Sequence, residues 1–320
     1  MRIIRNAAKA SDRKWVATVG FFDGVHRGHR FLIDSMCELA ARKRLHAAVL
    51  TFPAHPREVL RKDFEPSLLN SFDEKTAQLA TTGIDACFLL DFTPELAALP
   101  ARDFIAGVLS QQWHVDTLLV GYDHRFGHNR TDGFEQYAAY GRACGMEVLR
   151  AGICRAGEEA VSASRIRQLL SEGNVEEAAQ LLTYPYPLKG RVVHGSRTGR
   201  ELGFPTANIE ASDRRKIIPG AGVYAVRVSL CDGRRYKGML SVGNRPTFGS
   251  EKNSVEVHLL HFSDTIYDCE IEIAFIRRLR ANRKFDTPAA LAAQLTEDCR
   301  TTDLILSQPI LSGRDGQEHE

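Results

Sequence analysis

The sequence predicts two domains of different class, a doubly wound α/β domain first and then a small β-barrel with a C-terminal helix. Three observations carry this. The chain has 320 residues, about two domains at roughly 150 residues each. Up to residue 182, apolar runs of strand length alternate with stretches of helical periodicity, which implies crossover connections and a parallel sheet. From Thr183 onward, short β-like runs divided by Gly, Asp and Asn replace that alternation.

Taken in order, Lys14–Gly20 is a short β-rich run ending in glycine. Phe31, Leu32, Ser35, Met36, Leu39 and Ala40 then recur at helical spacing, and Arg42-Lys43-Arg44 suits a helix C-terminus. His46–Phe52 reads as a buried strand, followed by the breakers Pro53 and Pro56. Ile84–Leu90, Thr117–Val120 and Met146–Arg150 read as further strands. Helices are expected around Glu74–Ala80, Asp103–Gln112, Gly133–Cys144 and Ser164–Leu182. Pro185 and Pro187 cannot continue that last helix, so Thr183–Gly190 reads as a linker. Beyond it, Gly222–Leu230, Tyr236–Val242, Ser254–Phe262 and Cys269–Phe275 read as strands. The first two are joined by Asp232-Gly233, a strong hairpin signal. The final helix is Pro288–Asp298, with Thr287 as its N-cap. The expected domains are residues 1–183 and 184–306, with a polar tail over 307–320.

Composition narrows the function classes. Hydrophobic residues make up 43% and charged residues 26%, which excludes a disordered or fibrous chain. With 42 Lys+Arg against 40 Asp+Glu the net charge is +2, so no global field recruits nucleic acid or an anionic membrane. Neither is an expected partner, while a local basic pocket for a phosphorylated ligand stays open. No apolar run approaches the ~20 residues of a membrane span, and the N-terminus has no apolar signal core. A cytoplasmic chain is expected, and the sequence sets no oligomeric state. The seven cysteines are scattered without a CxxC pair, and they read as buried free thiols.

Two constellations carry chemistry. The first is Thr18-Val-Gly-Phe-Phe-Asp-Gly-Val-His26-Arg-Gly-His29, which follows a strand and opens a helix. That setting aims backbone N–H groups and a positive dipole end at an anion. Gly20, Gly24 and Gly28 allow tight bends and close approach to a phosphate. His26 and His29 are three apart, so their imidazoles can converge on one helix face and donate to phosphate oxygens. Taken alone, two such histidines could equally cap a helix or form half of a metal site; no further ligands stand nearby. The GxxxxGK[ST] pattern is absent, so this is not a P-loop. Two distant segments join it: the loop Gly121–Gly133 after a strand, and Ser162-Ala-Ser164-Arg-Ile-Arg167 before a helix. The latter offers hydroxyls and a guanidinium to phosphate oxygens, although either serine singly is an ordinary cap.

The second constellation is Gly190–Ile209, with Gly195, Gly199, Arg200 and Leu202-Gly-Phe-Pro-Thr-Ala-Asn-Ile209. Its glycines permit close approach to phosphate. Thr206 and Asn208 are two apart, so in an extended segment they share a face, and their oxygens suit Mg²⁺ carrying ATP phosphates. Further on, Glu256 and His258 in Ser254-Val-Glu-Val-His258 point to one face of a strand, with Val255 and Val257 on the other. A carboxylate there could take a proton from a substrate hydroxyl, or be a solvated face residue.

With these motifs in this order, the chain resembles the bacterial bifunctional riboflavin kinase/FAD synthetases over roughly Trp15 to Asp298. The first half resembles the HxGH nucleotidyltransferases, with their Rossmann-like fold, and the second the riboflavin kinase barrel. The resemblance implies that His26 and His29 stabilise the α-phosphate of ATP, and that Ser164 and Arg167, beside Ser162, hold the remaining phosphates. Gly20, Phe22, Asp23, Gly24 and Gly28 would shape the nucleotide pocket, and Asp123, Arg125 and Asn129 would face flavin and adenine. In the second half, Gly195, Gly199, Arg200, Gly203 and Pro205 would surround phosphate, Thr206 and Asn208 would bind Mg²⁺–ATP, and Glu256 would be the base. The implied activity is ATP-dependent phosphorylation of riboflavin to FMN, then adenylylation of FMN to FAD with release of pyrophosphate. FMN and FAD are then substrate and product, not redox cofactors, and riboflavin, FMN and ATP are the partners. The chain departs from the family at Phe21, usually Asn, and at Ala163-Ser164, usually Ser-Thr. Further departures are His261 and Asp268, where Asp and Gly are more usual, and Asn282, where Glu is. Other readings of the same motifs are a kinase with a weak or inactive adenylyltransferase half, a first half serving another nucleotide or acceptor, and a flavin-binding regulator without turnover. Binding alone needs no general base, which argues against the last.

Overall fold

Every residue of Trp15–Val19 is buried, and that all-round burial identifies an inner strand of a sheet covered on both faces. The computed structural model, which describes residues 1–308 other than Ser11, Lys62, Asp123, Asn129, 157–158, 196–202 and 248–249, places it in a six-stranded sheet. The strands are β1 (Arg2–Ile4), β2 (Trp15–Val19), β3 (His46–Thr51), β4 (Ala86–Leu89), β5 (Val115–Val120) and β6 (Glu147–Arg150). Their spatial order is β1-β4-β3-β2-β5-β6, and every pairing is parallel. The order reverses between β2 and β5, so a crevice opens beyond the carboxyl ends of these two strands. One core cluster gathers Trp15, Phe88 and Trp113. The other gathers Ile33 and Met36 of α1 (Arg27–Lys43) with Val16, Val49 and Cys87.

The remaining helices are α2 (Pro56–Leu60), α3 (Phe72–Ala80), α4 (Pro94–Ala98), α5 (Ala101–Asp103), α6 (Phe134–Ala143), α7 (Ala163–Glu172), α8 (Val175–Leu182) and α9 (Pro288–Ser307). Several elements differ from those expected. Strand β1 is absent from the sequence-based elements, because its three residues carry no repeat of any period. The expected helix over Asp103–Gln112 continues from α5 as a π-helix over Phe104–Gln112, with Trp113 N–H donating five residues back to Val108 O. The stretch Ser164–Leu182 is two helices, broken where Gly173 takes φ +82°; a Cβ there would lie 2.6 Å from the Tyr224 hydroxyl. The last helix runs on to Ser307 because Asp298, Thr302 and Leu306, four apart, form one buried stripe.

The chain forms two compact units. The first comprises Met1–Arg167, Leu181–Thr183 and Arg215–Ile217, the second Gln168–Gln180, Tyr184–Arg214 and the chain from Ile218 onward. The second unit holds a closed antiparallel barrel in the order β10-β13-β12-β11-β14-β9. A two-residue pair, β7 (Arg155–Ala156) and β8 (Glu159–Ala160), precedes it in the chain. The barrel strands are β9 (Tyr186–Val193), β10 (Ala207–Ala211), β11 (Gly222–Leu230), β12 (Arg235–Thr247), β13 (Ser250–Leu259) and β14 (Glu270–Arg280). The expected linker therefore already contains a barrel strand. Pro187 pairs with Ala274 on β14, while β10 pairs with β9 only from Gly190 onward. At Pro187 the strand has a neighbour on one side only, so its missing N–H breaks no ladder. The turn between β11 and β12 forms as read: Gly233 takes φ +85°, and Asp232 Oδ1 accepts from Arg234 N–H at 2.9 Å. Thr287 caps α9 as expected, accepting from Ala290 N–H at 3.2 Å. The seven cysteines are free thiols, but only Cys87 is fully buried. Among the described residues no helix is long and apolar enough to cross a membrane.

Candidate active site

The first site lies in the crevice between β2 and β5. After β2 the chain turns through Phe22, at φ +55°, and Gly24, at φ +80°, and α1 begins with His26 as its N-cap. His26 Nδ1 accepts the N–H of His29 at 3.4 Å. That bond assigns the His26 proton to Nε2. The two imidazoles stack with centroids 3.7 Å apart and planes 18° apart. Burial, then the charge of Arg167, lowers the His26 pKa to about 4. Burial, then His26, His124 and Lys75, holds His29 well below its ordinary value. Both rings are therefore neutral at pH 7, so that an N–H of either can donate without charge. The His29 Nδ1 atom is buried with no hydrogen-bond partner among the described residues.

These groups line a cavity of about 680 Å³. The ends of β2, β5 and β6 supply its walls through Gly20–Phe22, Gly121–Tyr122 with His124, and Ala151–Cys154. Of the expected residues, Gly20, Phe22, Asp23, His26, Gly28, His29, Ser162 and Arg167 line it. Gly24 and Ser164 are not among the lining residues. Gly24 instead packs on the side chains of Leu69 and Leu182. Ser162 caps α7, its hydroxyl accepting from Arg165 N–H at 3.3 Å. Asp23 is 5% exposed, and its carboxylate accepts from Leu69 N–H and Asn70 N–H at 3.0–3.1 Å and from Arg167 at 2.6 Å. It serves as the seat of Arg167. Asp123 and Asn129 lie outside the described residues. Arg125 lines an adjoining cavity of about 400 Å³, walled by Phe21, Phe52, Phe92, Phe104 and Phe126. The two cavities share Val19, Gly20, Phe21 and His124.

Sequence reasoning missed His124 and Lys75. His124 stands in the loop Gly121–Gly133, where its charged neighbours draw the attention. Lys75 carries no local signal, because an amphipathic helix tolerates lysine anywhere on its surface. In the fold it is 2% exposed, and its ammonium donates to Phe21 O and Phe52 O at 3.1 and 2.8 Å and sits 4.1 Å from the Phe21 ring centroid. Burial lowers its pKa to about 8. The departure at Phe21 thus has a physical partner, a cation held against its ring face.

The second site is on the barrel. In β13, Val255, Val257 and Leu259 are buried while Glu256 and His258 are half-buried on the other face, as the alternation requires. Glu256 stands directly opposite Asn208 in the β10–β13 ladder, and the Thr206 hydroxyl donates to Glu256 Oε2 at 3.2 Å. His258 Nδ1 lies 2.8 Å from Pro205 O, which ties the Pro-Thr-Ala-Asn segment to the same strand face. A Cβ at Gly195 would fall 1.8 Å from Asn208 Nδ2, so only glycine fits beside that amide. A cavity of about 150 Å³ adjoins this segment, lined by Pro205, Thr206, Ala207, the buried-face residues Val257 and Leu259, and the loop Phe262–Tyr267; Gly195, Asn208 and Glu256 are not among its lining residues. Gly203 is described but is not among its lining residues, and Gly199 and Arg200 lie outside the described residues. A hydroxyl, an amide and a carboxylate together are hard oxygen donors of the kind Mg²⁺ takes.

Comparison with known proteins agrees with both halves. A family profile described as FAD synthetase matches residues 8–165, and one described as riboflavin kinase matches residues 182–306. A bifunctional riboflavin kinase/FMN adenylyltransferase of Escherichia coli (strain K12) is 35% identical over 93% of this chain and 95% of its own. Its counterpart in Listeria monocytogenes is 37% identical over 91% of this chain and 92% of its own, and that of Bacillus subtilis 33% over the same shares. A crystal structure described as a macrolide-efflux protein from Streptococcus pneumoniae superposes with a TM-score of 0.84 at 32% identity, covering 94% of this chain and 97% of that one. Its description speaks of efflux, while its fold is the one found here.

Proposed function

The chain belongs to the bifunctional riboflavin kinase/FMN adenylyltransferases, and from that premise we propose how its residues divide the work. It is a flavin-cofactor enzyme that phosphorylates riboflavin to FMN and adenylylates FMN to FAD.

At the sheet site, a phosphate oxygen of FMN attacks the α-phosphorus of ATP, and the bond to the β-phosphate oxygen breaks to release pyrophosphate. The attacking phosphate is already anionic, so no proton has to be removed. His26 Nε2–H and His29 donate to the oxygens on which charge grows, and they stay neutral because burial forbids a second proton. Arg167, held by Asp23 and by Ser67 O at 2.6 Å, faces the other phosphates, with Ser162 and Ser164 at the adjoining helix start. The aromatic cavity beside it suits the flat flavin ring, with Arg125 at its wall. Phe21 and His124, common to both cavities, then stand between the two substrates.

At the barrel site, the riboflavin 5′-hydroxyl oxygen attacks the γ-phosphorus of ATP, its proton passes to Glu256, and ADP leaves. Thr206 and Asn208 would hold Mg²⁺, which neutralises phosphate charge when bound. By donating its proton to Glu256, the Thr206 hydroxyl turns its lone pairs outward to a cation. The single observation that carries this reading is the register: Asn208 stands opposite Glu256 with Thr206 bonded to the same carboxylate. The two activities are assigned to residues 1–183 and 184–306, in a cytoplasmic chain, for which seven free thiols and ATP as substrate speak. Purified protein incubated with riboflavin, ATP and Mg²⁺ should accumulate FMN and then FAD, separated by chromatography. FMN without FAD would leave only the kinase half of the reading standing.

A further inference from the structure

We infer that Lys216 is a positioning residue for adenylyl transfer, although the chain supplies it between two strands of the barrel. Arg215–Ile217 belongs to the first compact unit. Lys216 is 6% exposed, and its ammonium donates to Leu69 O at 2.5 Å and to Glu74 Oε2 at 2.6 Å. Backbone bonds flank it: Leu68 N–H donates to Arg215 O at 2.7 Å, and Ile217 N–H to Leu68 O at 3.0 Å.

What these bonds hold is the irregular segment Ser67–Ser71, and its remaining polar groups lead to the nucleotide site. Leu69 and Asn70 N–H bind the Asp23 carboxylate, Ser67 O accepts from Arg167 Nε, and Asp23 accepts from Arg167 Nη2. Ser71 N–H donates to the same Glu74 oxygen that Lys216 holds. The segment is therefore clamped from two sides. On one side are Asp23 and Arg167, which line the 680 Å³ cavity. On the other is Lys216, which is not among the lining residues. A buried carboxylate deprived of its cation is unstable where it stands. Without Lys216, Glu74 loses its cation and Leu69 O its ammonium donor, the segment shifts, and Asp23 no longer fixes Arg167. Misplacing such a group by about 1 Å can cost on the order of 10²-fold in rate.

The inference deepens the proposed role of Arg167 and rests on it. It is tested in the full chain with Lys216→Met, assayed for FAD formation from supplied FMN and for FMN formation from riboflavin. FAD formation should fall by about ten- to hundred-fold, with a raised KM for ATP, while FMN formation stays within about two-fold. In an Arg167→Ala background the same substitution should cost less than about three-fold, because the group it positions is gone. A purely structural lysine would cost as much in either background, and that outcome overturns the inference. So does a Lys216→Met enzyme that makes FAD at the wild-type rate. Should Lys216→Met not fold, Glu74→Gln carries the same cycle, since it removes the anion while leaving the bond to Leu69 O. Wild-type protein that makes no FAD would instead sink the functional reading beneath it.

Discussion

At the end of β2 two neutral imidazoles lie stacked at the start of α1, whereas β10 and β13 set a hydroxyl and an amide beside a carboxylate. Both sites hold ATP phosphates in the proposed mechanism, yet one excludes a base and the other is arranged around one. The nucleophiles explain it. FMN brings an oxygen that is already anionic, so its site needs only donors for the charge that grows on phosphorus. Riboflavin brings a neutral hydroxyl, whose proton must be taken. Burial lowers the histidine pKa values in the first site, and half-exposure leaves Glu256 within reach of solvent in the second. In the proposed mechanism, burial thus keeps the donors of the first site neutral, while the base of the second stays half-exposed.

The substitution that strains this contrast most is Glu256→Gln, which keeps shape and hydrogen bonding but cannot accept the proton. FMN formation should fall by about 10²–10⁴-fold with little change in the KM for ATP. FAD formation from supplied FMN should be untouched. Near-normal FMN production would remove the base from the barrel site and leave the two sites alike.

Next in size is His29→Ala. Loss of one donor to the growing charge should lower FAD formation by about 10²–10³-fold and leave the kinase step unchanged. Equal loss in both steps would mean that the sites are not separate.

The smallest effect is on stability and follows from the His26 pKa. In the unfolded chain His26 takes its proton near pH 6.5, in the fold only near 4. Between these values the unfolded state binds more protons, so the contribution is complete above pH 6.5 and is lost as pH falls toward 4. The gap is worth on the order of 3 kcal/mol. Thermal melts between pH 7 and 5 should therefore show a steeper loss for the wild type than for His26→Asn. Parallel slopes would mean that His26 is not held neutral by burial.

Much of both sites is legible in the sequence because their residues are local. His26 and His29 are one helical turn apart, and Thr206, Asn208, Glu256 and His258 follow the two-residue period of strands. Long-range partners are not legible. Nothing near Lys75 or Lys216 in the chain marks them as buried cations, since their acceptors are carbonyls and a carboxylate brought in by other segments. Asp23 reads as part of the nucleotide loop, and only its bonds to Leu69, Asn70 and Arg167 give it the role of a seat. The proline pair reads as a linker because a missing N–H breaks most strands. Its harmlessness depends on which side of β9 has a neighbour.

By itself, the sequence determined the two fold classes, the order of the two chemistries and the local motifs, because periodicity and turn chemistry act over a few residues. Tertiary structure alone decided where the strand order reverses, and therefore which loops meet around one cavity. It also decided that two histidines stay neutral and that the three residues Arg215–Ile217, which the chain supplies between two barrel strands, belong to the first unit and close a network there. Burial and electrostatics depend on everything that surrounds a group, and those surroundings come from segments far apart in the chain.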